Sequence, residues 1–295
     1  MCAETHCVVT RTGYTSVVAG ATHLTFSRTE IAGQIVNRLS EQREEAAAAF
    51  NRRPAQIPSF VCDNLLPPAY AQAIYKAFPS TERLVLKKTL GQLKYVGYQM
   101  SAYDPLLEEA VYAFQDPRVV NLIASITRIT GLLPDERLYA GGVSLMAQGH
   151  YLNPHLDNSH DRDRQNYRAL NLLYYVTPDW RDDYGGHLEL WDNGPGQPQR
   201  TLHSRFNRLV VMRTDERSWH SVSPVIHAAY RCCVSNYYFS PQPVGRDASY
   251  HVTSFRGWPG QKIPDLFMRL DSGVRWAVRK IGGNWLFKNP HVYKK

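Results

Sequence analysis

Two segments of the chain carry histidine and acidic residues at spacings suited to metal binding. In YLNPHLDNSH, residues 151–160, one residue separates His155 from Asp157. Alternate residues of a β-strand point to the same side, so both side chains would face one ion. The segment ERSWHSVSPV supplies His220 as a third ligand. Two histidines and one carboxylate on one face of an octahedron make the facial triad that binds non-haem Fe(II) and leaves the opposite face open.

Other histidines compete for the third position. They are His150, His160, His187, His203 and His227. His187 and His203 lie on or near predicted strands, where histidines more often pack or face solvent. His227 is the main alternative to His220, although it lies beyond a Ser-Pro turn and is less well placed at a strand edge. Cys2, His6 and Cys7 form a further candidate cluster, which chance explains more simply.

An arginine eleven residues after His220 suggests a carboxylate site. In YRCCVSNYY, strand alternation places Arg231, Cys233, Ser235 and Tyr237 on one face. An unpaired buried guanidinium costs several kcal/mol, whereas its planar fork binds a carboxylate through two parallel bonds. A cosubstrate carboxylate would therefore explain an inward Arg231. A solvent-facing strand would explain it equally well.

The segment RALNLLYYV divides into two faces in the same way. Leu170, Leu172, Tyr174 and Val176 form a packing face. Ala169, Asn171, Leu173 and Tyr175 lie on the other face, where Asn171 and Tyr175 could hydrogen-bond a ligand.

Composition limits the possible classes of protein. The 295 residues are 43% hydrophobic, which is enough for a packed core, and the net charge is +8. No dense basic block or nucleic-acid motif accompanies this charge, so nucleic acid is not an expected partner. Five cysteines, two of them adjacent, do not form a disulfide framework, and no apolar segment is long enough to cross a membrane. We expect a cytoplasmic protein without a membrane partner.

The order of predicted elements indicates a single catalytic domain over 28–295 behind a flexible arm at 1–27. Residues 28–137 are read as helical support, with helices in 27–53, 65–80, 104–115 and 117–131, the last ending at Gly131. Residues 138–242 contain six or more short β-rich segments separated by turns, including DNGPGQPQ at 192–199. Residues 243–295 form a C-terminal extension with a helix in DSGVRWAVRKIGG. The fold class is an all-β core, a sandwich or barrel, with helical additions.

The ordered motifs of residues 138–242 resemble one known family. HLDN, NLLYYVTPDW, YGGHLELW, FNRLVVM, WHSVSPV and Arg231 follow one another as in 2-oxoglutarate/Fe(II)-dependent dioxygenases of the prolyl-4-hydroxylase type. The resemblance implies a double-stranded β-helix, or jelly roll, in which His155, Asp157 and His220 hold Fe(II). Arg231 would pair with the distal carboxylate of 2-oxoglutarate beside Tyr175 and Ser235, and Leu173 and Leu188 would line that pocket.

Some features depart from this pattern. Leu145 and Met146 stand where the family often has a tyrosine, and Tyr151 is a possible substitute. The helical front and the C-terminal segment do not match the oxygen-sensing members, so a prolyl substrate does not carry over.

The resemblance implies an Fe(II) enzyme that uses 2-oxoglutarate and O2, with ascorbate as an optional reductant. The expected reaction is hydroxylation of a C–H bond in a small molecule, an amino acid or a natural-product intermediate. A protein or peptide hydroxylase, or a non-catalytic or cupin-like binding protein, are the alternatives. Tyr151, Asn158 and Trp219 are the expected substrate contacts.

Overall fold

The computed structural model describes residues 8–10, 13–15, 26–51, 55–282 and 293. The cluster predicted from Cys2, His6 and Cys7 lies outside the described residues.

The helices follow the predicted segments, with changed ends. They are α1 (Arg28–Glu41), α2 (Arg43–Asn51), α3 (Pro68–Lys76), α4 (Pro105–Ala113), α5 (Pro117–Thr127) and α6 (Lys262–Gly282). The Ser27 side chain caps α1 by accepting from the backbone N–H of Glu30. The first predicted helix is divided at Gln42. The fourth ends before Arg128, whose left-handed backbone conformation terminates it ahead of Gly131. None of the helices in the described ranges combines the length and apolar character that a membrane span requires.

Fifteen short strands complete the described secondary structure. They are β1 (Val8–Thr10), β2 (Gly13–Thr15), β3 (Ser59–Asp63), β4 (Val85–Thr89), β5 (Gln92–Gly97), β6 (Leu133–Pro134), β7 (Gly142–Met146), β8 (Tyr151–Leu156), β9 (Tyr167–Tyr175), β10 (Leu188–Leu190), β11 (Arg200–Leu202), β12 (Arg208–Arg213), β13 (His220–Val222), β14 (Arg231–Ser240) and β15 (Ser254–Phe255). β1 and β2 pair with each other, and the other thirteen form one sheet.

The large sheet is antiparallel and curls into the predicted jelly roll. Its strand order is β11-β10-β13-β8-β5-β7-β14-β9-β12-β3, with β4, β6 and β15 attached at β5, β14 and β8. The predicted turn at 192–199 joins β10 to β11, which pair with each other. Side chains from β8, β10 and β13 share one cavity with side chains from β7, β9 and β14, so the two ends of the sheet enclose a space.

From Leu170 onwards the two faces of β9 have the predicted roles, whereas Ala169, which was predicted on the ligand face, is buried in the core because the pairing with β14 skips it. Leu170, Leu172, Tyr174 and Val176 are buried in the main hydrophobic core with the helices. Leu173 and Tyr175 face the other way, towards the enclosed cavity. The helices therefore cover the outer face of the sheet and leave its inner face to the cavity.

Besides the two-residue β6, the front section contributes three longer strands that the sequence analysis did not predict. β3 pairs with β12, and the β4–β5 hairpin joins the sheet between β7 and β8. These strands are five or six residues long and lie between helices. Such short segments gain their strand conformation from pairing with distant strands rather than from local propensity.

The C-terminal extension is attached to the sheet beside β8. β15 pairs with the end of β8, and the Arg256 guanidinium makes an ion pair with Asp265 of α6 at 2.7 Å. Met268 is buried against the body of the protein, whereas Leu266 and Phe267 are exposed. α6 begins at Lys262, nine residues before the start of the predicted helix at Asp271.

Asn207 connects the helical front to the β-core. Its side-chain amide donates to the carbonyl oxygen of Leu66 at 2.6 Å, and its Oδ1 accepts from the Leu66 N–H and the Tyr174 hydroxyl. The residue is buried, and its φ of 59° lies in the left-handed region, which asparagine tolerates better than most residues. One side chain thus satisfies three buried polar groups.

We expect Asn207→Ala to lower the free energy of unfolding by about 2–4 kcal/mol, because it leaves buried polar groups unpaired and places alanine at a positive φ. Urea denaturation measures this change. Tyr174→Phe, which removes one of the three hydrogen bonds, should cost about 1 kcal/mol. Equal losses in the two variants would contradict this role for Asn207.

Candidate active site

His155, Asp157 and His220 lie together at one end of the enclosed cavity. Each offers one ligand atom, and these atoms lie within 4.8 Å of one another. The Nε2 atoms of His155 and His220 are 3.7 and 3.6 Å from the carboxylate oxygens of Asp157. The cluster arises because β8 and β13 pair with His155 opposite His220, and Asp157 directly follows β8.

Both histidines are held through the ring nitrogen that faces away from the cluster. Nδ1 of His155 is 2.9 Å from the Asn153 carbonyl oxygen, and Nδ1 of His220 is 2.8 Å from that of Ser218. A carbonyl oxygen can only accept, so Nδ1 carries the proton and Nε2 presents its lone pair to the centre. This is the arrangement that orients histidine ligands in metal sites. The His155 ring also stacks on Phe255 of β15 at 5.2 Å.

The electrostatics of the cluster favour neutral histidines and an ionised carboxylate. Burial, with a smaller contribution from His220, lowers the pKa of His155 to about 3, and burial also lowers the pKa of His220. Burial alone would raise the pKa of Asp157, but Arg168, the two histidines and Asn171 together hold it well below its usual range. These are the protonation states that a divalent cation requires of its ligands.

Two residues of β9 hold the Asp157 carboxylate in place. The Asn171 amide donates to Oδ2 of Asp157 at 2.7 Å, and a guanidinium nitrogen of Arg168 lies 3.4 Å from the same oxygen. The Arg168 guanidinium also covers the Tyr237 ring and donates to Asn158 at 2.7 Å. Asn171 was predicted to face a ligand, and its amide nitrogen instead binds the acidic residue of the cluster.

Sequence reasoning missed Arg168 for a structural reason. Strict alternation along β9 places Arg168 on the core face with Leu170. In the pairing with β14, however, Tyr238 lies opposite Leu170 and the next residue, Phe239, lies opposite Arg168, so Ala169 is skipped. This β-bulge reverses the alternation of side chains between the two faces, and Arg168 therefore lines the cavity. No pattern within the segment RALNLLYYV reveals it.

Arg231 lies in the same cavity as the cluster. Its guanidinium is buried, donates to the Gly186 carbonyl oxygen at 3.0 Å and contacts the Met146 sulfur at 3.2 Å. Its Nε has no hydrogen-bond partner among the described residues. No salt bridge among them involves Arg231, so this buried cation retains the capacity to bind an incoming anion.

Gly186 shapes this part of the cavity. Its φ is 69°, and a Cβ added there would lie 2.9 Å from Val225 and 3.0 Å from Arg231 Cδ. A larger residue would therefore be strained and would push against the arginine that its carbonyl holds.

The remaining residues predicted to contact the cosubstrate also line the cavity. They are Tyr175, Ser235, Leu173 and Leu188. The Tyr175 ring centre is 5.1 Å from the Arg231 guanidinium carbon. Burial raises the pKa of Tyr175 to about 12 although Arg231 opposes this, so its hydroxyl is protonated and can donate.

The predicted substrate contacts have different positions. Asn158 lines the cavity, whereas Tyr151 and Trp219 are not among its lining residues. The Tyr151 hydroxyl donates to the Leu90 carbonyl oxygen at 3.4 Å, on the turn between β4 and β5.

The alternative histidines lie away from the cluster. His227 stacks on Tyr184 at 3.7 Å, and His187 and His203 contact Asp182. A lysine on β5, Lys94, lines the cavity and was not considered from the sequence.

We expect Asn171→Leu to weaken metal binding about 10- to 100-fold, because Asp157 loses the hydrogen bond that orients it. Titration of the metal-free protein with Co(II) in competition with a chelator measures this affinity. Arg168→Met should act in the same direction. Arg181→Met is the control, because this exposed arginine pairs with Asp183 far from the cluster. Unchanged Co(II) affinity in Asn171→Leu would show that Asp157 needs no support from β9.

Comparison with known proteins agrees with the geometry. Residues 141–239 match the family model of the 2OG-Fe(II) oxygenase superfamily. Prolyl 3-hydroxylase OGFOD1 of Mus musculus is 30% identical over 79 residues, which are 25% of this chain and 14% of that protein. The chain thus matches a small part of that relative.

Solved structures extend the likeness beyond the matched segment. A structure of prolyl 4-hydroxylases from Phytophthora capsici has a TM-score of 0.54 and 17% identity, covering 89% of this chain and 81% of that one. HygX from Streptomyces hygroscopicus, with nickel, 2-oxoglutarate and hygromycin B bound, has a TM-score of 0.45 and 12% identity, covering 63% and 84%. The Phytophthora likeness shows a shared fold. The segment 141–239, which matches the model of the 2OG-Fe(II) oxygenase superfamily, carries all three residues of the cluster.

Proposed function

We propose that this chain is a 2-oxoglutarate-dependent Fe(II) dioxygenase that hydroxylates an unactivated C–H bond of a small molecule, an amino acid or a natural-product intermediate. In this reaction the substrate, O2 and 2-oxoglutarate give the hydroxylated product, succinate and CO2. The observation that carries the proposal is the shared cavity, in which a two-histidine, one-carboxylate cluster lies with a buried arginine that has no acidic partner among the residues the structure describes.

Each cavity residue has a role in this proposal. His155, Asp157 and His220 hold Fe(II), which activates O2 with 2-oxoglutarate as the two-electron reductant. Arg231 binds the distal carboxylate of 2-oxoglutarate, with Tyr175 and Ser235 as hydroxyl donors. Leu173 and Leu188 pack against its methylene groups. The free capacity of Arg231 and the protonated Tyr175 hydroxyl fit a carboxylate ligand.

The surroundings of the cluster maintain its chemistry. The backbone carbonyl oxygens of Asn153 and Ser218 keep the Nε2 atoms of the two histidines free of protons. Arg168 and Asn171 keep Asp157 ionised and oriented. Burial limits the access of water, which protects a reactive centre from side reactions.

The size of the cavity favours a small substrate. Its volume is about 320 Å³, which is in the range of sites for small molecules. A peptide hydroxylase is the second candidate, because a protein that this chain matches over 79 residues is a prolyl 3-hydroxylase. A cupin-like binding protein uses no 2-oxoglutarate, so it would not need the buried cation of Arg231 to bind a carboxylate.

We expect anaerobic protein given Fe(II) and 2-oxoglutarate to develop a weak visible charge-transfer band. Asp157→Ala should abolish the band, because one metal ligand is lost. Arg231→Leu should keep iron but lower the 2-oxoglutarate affinity by about 2–5 kcal/mol, read from titration of the band. Arg205→Leu, which removes an exposed arginine paired with Asp182, is the matched control. Folded, iron-loaded wild-type protein without a band would overturn the cosubstrate assignment.

A second experiment separates the two substrate classes. Succinate release is measured with a panel of L-amino acids and carboxylic acids, and in parallel with proline-containing peptides. We expect small molecules to stimulate release, with a product 16 mass units heavier, the mass of the oxygen atom that hydroxylation adds. If only the peptides stimulate succinate release, our proposal is wrong and the chain is a peptide hydroxylase.

A further inference from the structure

The β4–β5 hairpin places two lysines side by side on its inner face. Lys87 of β4 pairs directly with Lys94 of β5, and Val85 and Val96 pair two residues further along, on the same face. Cβ atoms of directly opposed residues in an antiparallel pair are about 5 Å apart. Lys88 follows Lys87 on β4, so its side chain points to the other face of the hairpin, where it is exposed.

Both lysines line the cavity that holds the histidine–aspartate cluster. On β4, Lys87 is half-buried while the residues on either side of it are exposed, and Lys94 is also half-buried. Burial lowers the pKa of both side chains; at Lys94 the charge of Asp157 opposes this and that of Arg231 adds to it. Two like charges in direct opposition are unfavourable, and partial burial adds to this cost. An anion beside Lys94 would offset part of this cost.

The charge of the cavity points in the same direction. Among its described lining residues, four are cationic, namely Lys87, Lys94, Arg168 and Arg231, and one, Asp157, is acidic. Bound Fe(II) and doubly charged 2-oxoglutarate would cancel each other and leave this excess of three positive charges unchanged. Asp157 is engaged by Arg168 and Asn171, and no described ion pair involves Lys94.

The lysine pair is separate from the arginine that the proposed function assigns to 2-oxoglutarate. β7 lies between β5 and β14, with Leu145 opposite Tyr95 on one side and Met146 opposite Arg231 on the other. Two strand spacings, about 9–10 Å, therefore separate the backbones that carry Lys94 and Arg231. The Met146 sulfur already contacts the Arg231 guanidinium from this direction.

We propose that Lys94 and Lys87 bind an oxyanion group, a carboxylate or a phosphate, of the organic substrate. This inference rests on the proposed function and narrows its substrate to an anionic small molecule. Arg231 then takes the carboxylate of the cosubstrate, and the lysine pair, two strands away in the same sheet, orients the substrate. Lysine suits this role because its ammonium group is a point charge that adapts to either kind of oxyanion.

The first test locates the anion. Anaerobic crystals of the Fe(II)–2-oxoglutarate complex are soaked in selenate, and anomalous diffraction reveals its position. We expect selenate between the Nζ atoms of Lys87 and Lys94, lost in Lys94→Met and retained in Lys94→Arg. Lys88→Met, the outward-facing lysine of the same hairpin, should leave the selenate in place. Absence of selenate from this position in the wild type would overturn the proposal.

The second test distinguishes the sources of the oxyanion. Succinate release is measured with carboxylic acids and amino acids beside their methyl esters, and with sugar phosphates beside the free sugars. Within each pair that stimulates succinate release, we expect the anionic compound, and not its neutral counterpart, to cause the stimulation. Lys94→Met should lower its kcat/KM about 10- to 100-fold, as expected for a lost charged hydrogen bond. Equal stimulation by neutral partners would contradict an oxyanion site.

The charge-transfer band separates this inference from the proposed function. Absence of the band in the wild type would refute the proposed function itself. A normal band with 2-oxoglutarate affinity within about twofold of wild type in Lys94→Met supports a substrate role for the lysine. If 2-oxoglutarate no longer produces the band in Lys94→Met, Lys94 binds the cosubstrate rather than the substrate, and our inference is wrong.

Discussion

The pairing of β8 with β13 is the interaction on which the candidate site depends. His155 and His220 are 65 residues apart in the chain, and the antiparallel register places them directly opposite each other. A slip of one residue would turn one imidazole to the other face of the sheet, because side chains alternate. Neighbouring strands protect this register. β10 pairs with β13 on one side, and β5 and β15 pair with successive halves of β8 on the other.

Charge is the second constraint on this cavity. A carboxylate in a low-dielectric space needs compensation, and Asp157 receives it from Arg168, Asn171 and the two histidines. The cavity nevertheless carries more positive than negative side chains, which is costly in an empty protein. This excess becomes favourable when anionic molecules enter. The stability of the empty site and its affinity for anions are therefore opposed, as is common where a binding site is preorganised.

Parts of the chain outside the matched segment also build the site. The β4–β5 hairpin forms one wall of the cavity, and Phe255 of β15 stacks on His155. Residues 141–239 thus provide the histidine–aspartate cluster and Arg231, while the flanking segments line the space in front of them.

The sequence alone determined an all-β core, the packing face of β9 and the candidates His155, Asp157, His220 and Arg231. These follow from residue type and from the period of two along a strand, which are local properties. The jelly roll itself was implied by the resemblance of the ordered motifs to a known family. Only the tertiary structure decided between His220 and His227, because that choice depends on which strands pair. It alone brought Arg168 to Asp157, since the skipped residue at Ala169 reverses the alternation. It alone placed Lys94 in the cavity, because the position of the β4–β5 hairpin is set by strands distant in sequence and not by the hairpin's own residues.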